Sequence, residues 1–319
     1  MTPESANRLS SVAVVIPAYK VSKHISEVVK AIPRQIGRII VVDDACPEGS
    51  GILVEPKDEK SRLRVLRHET NQGVGGAVVT GYQAALEDPS IKIIVKLDGD
   101  GQMLPSDIEK LIKPILDGRA DYTKGNRFDS IEDLEQMPRI RILGNGVLSF
   151  LSKASSGYWN ITDPTNGFTA VTREVLERIK LEKVRKSFFF ENDMLFRLSL
   201  VRAVVVDVPM KSRYGNETSN IRITKVLREF PVRYLVNFGK RVLYQYYLRE
   251  WSIASFELPL GLLLLASGII TGFAFWNINS QLGSFASSGE VMLASLPVIV
   301  GTQLLLAFTN YDINSTPRR

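Results

Sequence analysis

Two carboxylates and an amide follow an apolar stretch in the middle of the chain, in the order Asp98-Gly-Asp100-Gly-Gln102. Residues 91–97 are mostly apolar and β-branched, which predicts a buried strand ending at this point. Carboxylates two positions apart can converge on one hard cation, and Gln102 adds a neutral oxygen. Mg²⁺ or Mn²⁺ takes one or two protein carboxylates and fills its other sites with water and substrate phosphates. The pattern therefore predicts a metal site that serves a nucleotide diphosphate, although Asp-Gly-Asp is also typical of ordinary Asx turns.

Short β-branched runs alternate with helical patterns over the first part of the chain. We predict strands at 12–16, 38–42, 63–67 and 92–97, and helices at 22–32, 73–86 and 105–116. This alternation is typical of an α/β fold with a mainly parallel sheet and helices on both faces. Polar segments at 17–19, 43–44 and 98–100 each follow a predicted strand. Because ligands in such sheets bind at the carboxyl ends of the strands, we expect these segments to form one site.

The next part of the chain is less regular, with helices predicted at 139–154 and 191–200, a turn at 163–167 and a strand at 204–208. Residues 222–247 then carry apolar side chains near helical spacing with Lys and Arg between them. We expect Pro231 to split this segment in two. A basic amphipathic segment of this kind suits a membrane interface, or alternatively packs on the soluble domain. The sequence contains no internal repeat and no low-complexity tract.

Two uncharged, mostly apolar runs lie near the carboxyl terminus, at residues 258–276 and 291–311. The first run would form a helix of ~28 Å, close to the thickness of a bilayer core. A pair of buried core helices is the alternative. Basic residues precede the first run and follow the second, whereas the connector at 277–288 has none. The positive-inside rule then places both termini in the cytoplasm and the short connector outside.

Composition sets further limits on the 319 residues. A single cysteine, Cys46, excludes an internal disulfide and suits a reducing compartment. The net charge of +6 is modest, and its basic cluster before the first apolar run favours an anionic membrane surface over nucleic acid. The polar amino-terminal residues do not predict a signal peptide.

Several ordered segments of the chain together resemble a known family. They are VVIPAY (14–19), VVDD (41–44), NQGVGGAVVTGYQAAL (71–86), KLDGDGQ (96–102), GNRF (125–128), DPTNGF (163–168), FFEND (189–193), RYGNETSNI (213–221) and QLLLAFTNYDIN (303–314). The family is the inverting family-2 glycosyltransferases of the GT-A fold, and within it the polyprenol-phosphate sugar synthases of the dolichyl-phosphate mannose or glucose synthase type, in their bacterial branch with two carboxyl-terminal membrane helices.

This resemblance implies a GT-A catalytic domain at 1–221, amphipathic juxtamembrane helices at 222–252 and a two-helix membrane anchor at 253–319. It implies transfer of a hexose from a nucleotide diphosphate-sugar, of the UDP-glucose or GDP-mannose type, to polyprenyl phosphate, with inversion, at the cytoplasmic membrane face. The expected cofactor is Mg²⁺ or Mn²⁺. The expected partners are the donor, the lipid acceptor and the bilayer, with no nucleic acid and with room for a homo-oligomer.

The resemblance also assigns site residues. The metal site is Asp98, Asp100 and Gln102. The donor site comprises Pro17, Ala18, Tyr19, Asp43, Asp44, Asn71, Gly73, Gly76, Asp98, Arg127 and Arg213. The acceptor phosphate is assigned to Arg139, Arg141 and Ser219, and the catalytic carboxylates to Asp100, Asp163, Glu191 and Asp193. Two segments depart from the family pattern around the base and ribose pocket, namely Lys20-Val21 and Ala45-Cys46-Pro47.

The chemistry of these residues agrees with the assignment. Guanidinium groups pair with phosphate oxygens in a bidentate fork, although one or two of the four arginines would suit a solvated surface equally well. The glycines at 73, 75 and 76 precede a helix, so their amides would either meet an anion or ease the helix start against the sheet. Because a lipid phosphate is mostly ionised at neutral pH, it needs positioning more than a strong base. Asp163 alternatively caps its turn, and Glu191 alternatively is a first-turn helix charge.

His24 and His68 match no motif and are expected at the surface. Competing functions are a family-2 transferase for a lipid hydroxyl or polysaccharide, a non-catalytic membrane scaffold with the same fold, and a nucleotidyltransferase. A processive synthase usually carries Gln-x-x-Arg-Trp, which this sequence lacks, and a nucleotidyltransferase generally starts with a glycine-rich basic loop.

Overall fold

The computed structural model describes residues 8–56, 58, 61–127, 139–210 and 223–319. It divides into two compact units, Met1–Phe238 with Pro317–Arg319, and Gly239–Thr316. Within the described residues the strands are β1 (Val12–Ala18), β2 (Arg38–Asp43), β3 (Leu63–Arg67), β4 (Ile93–Lys96), β5 (Tyr122–Asn126), β6 (Thr169–Thr172) and β7 (Val205–Pro209). The helices are α1 (Ile25–Ala31), α2 (Val74–Leu86), α3 (Ile108–Leu116), α4 (Arg139–Ser156), α5 (Arg173–Arg178), α6 (Phe190–Leu200), α7 (Ile223–Leu243), α8 (Ala254–Leu282) and α9 (Ser288–Asn314).

The strands form one sheet in the order β3-β2-β1-β4-β6-β5-β7. Strands β1 to β4 are parallel, as are β5 and β7, whereas β6 runs antiparallel to both β4 and β5. The predicted α/β fold with a mainly parallel sheet is confirmed. The reversal at β6 brings the turn that precedes it to the edge where β4 and β5 end.

Alternating residues of β1 supply two separate cores, because successive side chains on a strand point to opposite faces. Ala13 and Val15 pack with α2, α5 and α6. Val12, Val14 and Ile16 pack with α1 and α3 on the other face. The sheet is thus covered on both sides, which explains why its central strands are apolar throughout rather than alternating.

The second unit contains the two longest helices that the structure describes. Both α8 and α9 are long and apolar enough to cross a membrane. Ser287 and Glu290 form a reciprocal capping box at the start of α9. Close packing within the pair depends on small residues, since a Cβ at Gly301 would lie 2.7 Å from the backbone nitrogen of Leu265.

The expectation that Pro231 splits its segment is wrong, because α7 runs through this residue without a break. Aromatic packing on either side of the proline explains this: the ring centroid of Phe189 lies 5.1 Å from that of Phe230 and 5.0 Å from that of Tyr234. These contacts offset the backbone hydrogen bond that proline cannot donate. A short π-helical segment, Tyr244–Arg249, follows α7.

Candidate functional site

The carboxyl ends of β1, β2, β4 and β5 lie at one edge of the sheet, and the turn before β6 joins them there. The first strands are aligned so that Ala18 of β1 pairs with Asp43 of β2. Lys96 of β4 pairs with Thr169 of β6, which in turn pairs with Lys124 of β5. This register places the segments that follow these strands, and the turn at 163–167, along one polar edge.

The turn after β4 presents two aspartates. The side chain of Asp98 is 28% exposed, and its Oδ1 accepts a hydrogen bond of 2.8 Å from the Nζ of Lys96. The Oδ1 of Asp100 accepts a 3.0 Å bond from the backbone amide of Gln102. Gly101 has a φ of +77°, which favours glycine and lets the chain reverse between the two polar residues.

These donors fit a hard divalent cation. The turn offers carboxylate and amide oxygens, which are the ligands that Mg²⁺ and Mn²⁺ prefer. Among the described residues, no group of three or more His, Cys, Asp or Glu side chains converges as a closed metal cage would require. An ion held at Asp98 and Asp100 would therefore take its remaining ligands from water and substrate phosphates.

Lys96 lies behind this turn with 1% of its side chain exposed. Its Nζ also donates to the Oε1 of Glu191 at 3.1 Å, which links β4 to the first turn of α6. Burial by itself disfavours the ammonium, but the carboxylates of Asp98 and Glu191 outweigh it and raise the pKa of Lys96 above its ordinary value. Our sequence reasoning missed this residue. A lysine inside an otherwise apolar strand pattern was the available signal.

Arg127 is clamped by the fully buried carboxylate of Asp163. Its Nε donates to Oδ2 at 2.7 Å and its Nη2 to Oδ1 at 3.0 Å, while Nη2 also reaches the hydroxyl of Thr165 at 3.2 Å. The side chain of Arg127 is 26% exposed. Asp163 thus has both oxygens engaged, a geometry that orients the guanidinium of Arg127, and its assignment as a catalytic carboxylate stays a prediction.

A second buried lysine, Lys124, was also missed. It lies on β5 and its Nζ donates to the backbone oxygen of Asn166 in the turn before β6. Burial lowers the pKa of Lys124 to about 8, against the opposing effect of Glu191 and Asp163. Lys124 and Lys96 therefore both bring positive charge into the interior behind the polar edge.

The described contacts of the Asp193 carboxylate are with the protein itself, and its assignment as a catalytic residue stays a prediction. Its Oδ2 accepts hydrogen bonds from the backbone amide of Arg185 at 3.0 Å and from the Nε of Arg197 at 2.8 Å. These bonds tie the loop before α6 to the helix. Asp193 and Glu191 lie on the same helix, but Glu191 alone of the two bonds to Lys96.

The segments after β1 and β2 lie side by side. Pro17 and Ala18 end β1, and Ala18 is buried, whereas Tyr19, the next residue, is 42% exposed. The carboxylate of Asp43 accepts the backbone amides of Cys46 and Gly51, each at 2.7 Å. These bonds shape the loop that departs from the family pattern.

The loop at 45–47 contacts the other segment that departs from the family pattern, at residues 20–21. The backbone amide of Lys20 donates to the Sγ of Cys46 at 3.1 Å. Both Lys20 and Ala45 have a positive φ, near +57° and +52°. The two departures from the family pattern, distant in sequence, therefore contact each other.

The backbone amides of the glycine-rich segment at 71–76 bond to an anion of the protein itself, the carboxylate of Asp44. Its buried carboxylate accepts the backbone amides of Gln72 and Gly73, each at 2.8 Å. The expectation that His68 lies at the surface is wrong: its side chain is 7% exposed, with Nδ1 2.6 Å from Asp44 Oδ1 and Nε2 2.9 Å from the Thr80 hydroxyl. The buried carboxylate of Asp44 thus has His68 as a further hydrogen-bond partner, which explains why this histidine lies inside the protein.

The remaining residues of the glycine segment support this arrangement. Asn71 donates to the backbone oxygen of Asp44 at 3.2 Å. Gly73 has a φ of +85°, and a Cβ there would lie 2.5 Å from the backbone oxygen of Lys186. Gly76 lies in the first turn of α2.

Four sequence-assigned residues have side chains outside the described part of the chain. Arg139 and Arg141 lie in the first turn of α4, and only their backbone is described. Arg213 and Ser219 fall within 211–222, outside the described residues. Their assignments stay predictions.

Comparison with known proteins agrees with this geometry. The family described as Glycosyl transferase family 2 matches residues 13–180. The UDP-N-acetylglucosamine–dolichyl-phosphate N-acetylglucosaminyltransferase of Methanococcus voltae is 30% identical, over 71% of this chain and 96% of its own length. The polyprenol monophosphomannose synthase of Mycolicibacterium smegmatis is 27% identical, over 65% of this chain and 79% of its own.

A solved structure shares the fold. Glucosyl-3-phosphoglycerate synthase from Mycobacterium tuberculosis, in complex with UDP, superposes with a TM-score of 0.54 at 20% identity, covering 75% of this chain and 82% of its own. The same synthase has been solved with Mn²⁺, UDP-glucose and phosphoglyceric acid. The GT-A fold and the resemblance are thereby confirmed. With its family match extending from β1 to α5 and a polar edge built on β1, β2, β4 and β5, this chain belongs to glycosyl transferase family 2 and is a glycosyltransferase.

Proposed function

We propose that this enzyme transfers a sugar from a nucleotide diphosphate donor to the phosphate of a polyprenyl phosphate at a membrane surface. The observation that carries the proposal is the combination, in one chain, of a family-2 domain with two helices long and apolar enough to cross a bilayer. An acceptor with an isoprenoid tail stays in the bilayer, so its transferase must work at the membrane. The relatives from Methanococcus voltae and Mycolicibacterium smegmatis carry names of lipid-phosphate transferases, which supports the same acceptor class.

The donor would bind along the polar edge. Tyr19 and the loops after β1 and β2 would contact the base and ribose, and the Asp98–Asp100 turn would face the diphosphate. A divalent ion bound at that turn would neutralise charge on the departing diphosphate. Support for such an ion comes from the oxygen donors of the turn and from the Mn²⁺ found with UDP-glucose in the Mycobacterium tuberculosis synthase.

The acceptor would be held by oriented positive charge. A guanidinium already fixed by Asp163 meets a phosphate without further ordering. We therefore move Arg127 from the donor site, where the resemblance placed it, to the acceptor site, where it would place the acceptor oxygen for attack. The acceptor phosphate is itself anionic and needs no strong base, which agrees with an Asp163 whose oxygens both bond to Arg127. A single displacement of this kind inverts the anomeric centre.

We further propose that residues 1–221 form the catalytic domain, 222–252 the juxtamembrane segment and 253–319 the anchor. Leu248 and Trp251 are 71% and 67% exposed, next to Arg249, as suits a segment lying in the bilayer interface. The lack of Lys and Arg at 277–288 supports an orientation with the catalytic domain in the cytoplasm.

The test is a panel of radiolabelled donors, UDP-glucose, UDP-N-acetylglucosamine and GDP-mannose, each given with polyprenyl phosphate and Mg²⁺ or Mn²⁺. We expect one donor to label the organic phase after lipid extraction, and EDTA to abolish that label. The matched reaction contains polyprenol in place of polyprenyl phosphate. Label on the polyprenol, or no lipid label with any donor, would refute the proposed acceptor.

A further inference from the structure

Lys96 joins two parts of the polar edge that are far apart in sequence. Its Nζ lies 2.8 Å from the Oδ1 of Asp98 and 3.1 Å from the Oε1 of Glu191. The lysine side chain is 1% exposed and that of Glu191 is 12% exposed, so solvent does little to weaken the contact between them. One buried ammonium therefore serves the turn after β4 and the first turn of α6 together.

A third segment, the turn before β6, packs against the ammonium of Lys96. A Cβ at Gly167 would lie 2.4 Å from both the Lys96 Nζ and the Asp98 Oδ2. Only a residue without a side chain allows this backbone approach. The turn that carries Asp163 thus packs directly on the Lys96–Asp98 pair, and a shift in that pair would be felt by the turn.

The ammonium of Lys96 contacts two carboxylates, those of Asp98 and Glu191, and Glu191 also interacts with the charge of Lys124. A cation arriving at the Asp98–Asp100 turn would compete with Lys96 for the oxygens of Asp98. The strength of that competition depends on how much of the ammonium is drawn towards Glu191.

We infer that Lys96 is a positioning residue that couples the metal turn at Asp98 to Glu191 on α6, so that cation binding at the turn and the placement of Glu191 depend on each other. The inference rests on the proposed function in taking the Asp98–Asp100 turn as the site for a divalent ion and a nucleotide diphosphate. Lys96 itself does not touch substrate in this account. It acts through the two carboxylates that it holds.

Two substitutions should change cation binding in opposite directions. In Glu191→Gln the ammonium of Lys96 keeps Asp98 as its one anionic partner of the two, so Mn²⁺ should bind about 5-fold more weakly. In Lys96→Met the competing cation is gone, so Mn²⁺ should bind about 5-fold more tightly, while transfer falls because Glu191 and Asp98 lose their common anchor. A buried pair that only stabilised the fold would weaken binding in both variants or in neither.

The experiment is calorimetric titration of MnCl₂, with and without UDP, into the full-length protein in detergent. Lys92→Met is the matched control, because Lys92 lies just before β4 on the same part of the chain but is exposed. It should bind Mn²⁺ as the wild type does. No lipid acceptor is present, so the result does not depend on which acceptor the enzyme uses.

The outcomes are distinct. If the wild type binds Mn²⁺ with UDP but Glu191→Gln binds it equally well, the coupling is refuted and the donor assignment survives. If the wild type binds neither Mn²⁺ nor UDP, both the donor assignment and the coupling are refuted. Should Lys96→Met fail to fold, Glu191→Gln decides alone, since the amide preserves the shape of the side chain and an acceptor oxygen.

Discussion

The guanidinium of Arg127 is gripped by both carboxylate oxygens of Asp163, at 2.7 Å and 3.0 Å, with the carboxylate fully buried and the arginine partly exposed. The buried carboxylate of Asp163 therefore holds the partly exposed guanidinium of Arg127 in one orientation. A fixed positive charge at the polar edge is what an anionic acceptor requires, and it costs no reorganisation when the acceptor arrives.

We predict that Asp163→Asn reduces transfer to polyprenyl phosphate by about 100-fold, because a misoriented Arg127 no longer places the acceptor. Binding of UDP with Mn²⁺ should stay at the wild-type level. Steady-state kinetics and calorimetry provide the two measurements, with the exposed Asp117→Asn as control. A positioning role also requires that the residual activity keep the wild-type pH profile. Loss of one limb of that profile would instead identify Asp163 as the base.

We predict that Asp100→Ala abolishes transfer, by at least about 100-fold, because the departing diphosphate loses its counter-charge. The side chain is partly exposed in a surface turn, so the thermal unfolding midpoint should stay close to that of the wild type. Asp117→Ala, which removes a carboxylate from the surface, is the matched control for both measurements. Near-normal turnover by Asp100→Ala would contradict the metal assignment.

We predict that Asp207→Asn stabilises the protein at neutral pH. Burial raises the pKa of Asp207 to about 6, and its Oδ1 has no hydrogen-bond partner among the described residues. A raised folded-state pKa means that this group's stabilising contribution is complete below the unfolded pKa and is lost as pH rises through about 6. Asparagine at position 207 carries no charge, so this loss of stability with rising pH does not occur. Its side-chain oxygen still accepts the hydrogen bond from the backbone amide of Thr162. The free energy of unfolding should rise by about 2 kcal/mol at pH 7.5.

Denaturant unfolding at two pH values measures this effect. At pH 4 the gain should largely disappear, because Asp207 is then protonated in the wild type as well. Asp117→Asn should show no gain at either pH. An equal gain at both pH values would mean that the charge of Asp207 is not its cause.

We predict that Gly268→Ala weakens the pairing of α8 with α9. A Cβ at Gly268 would lie 2.7 Å from the backbone oxygen of Ala294, whereas one at Gly272 would lie at an ordinary 3.5 Å from the Ala294 Cβ. Overpacking of this kind costs about 1–3 kcal/mol. The thermal unfolding midpoint in mild detergent should fall for Gly268→Ala and hold for Gly272→Ala. Equal unfolding midpoints for Gly268→Ala and Gly272→Ala would contradict the close packing of the two helices at Gly268.

The sequence was informative wherever local chemistry decides structure. Runs of β-branched residues predicted β1 to β4, and the apolar runs fell within α8 and α9. Strand β6 was missed because Thr169–Thr172 is too short to give a pattern, and its reversed direction depends on neighbours that the sequence does not place beside it. Strand β5 was missed because Lys124 and Gly125 interrupt the apolar signal.

The residues of the site were predictable by type but not by partner. The carboxylates at 98 and 100 were found from their spacing. Nothing local links Arg127 to Asp163 or Lys96 to Glu191, since these pairs meet only when the sheet is assembled. Asp44 illustrates the same limit: the motif placed it near the donor site, and tertiary contacts engaged its carboxylate with two backbone amides and His68.

The sulfur that receives the amide of Lys20 is the single thiol of the whole chain. Hydrogen bonds from Ser50 and from backbone amides outweigh its burial and lower the pKa of Cys46, which favours the thiolate form that reacts with alkylating reagents. We therefore expect the unaltered protein to take up one fluorophore, at Cys46. That position adjoins the strand ends where the nucleotide is proposed to bind, so its emission would follow donor occupancy directly.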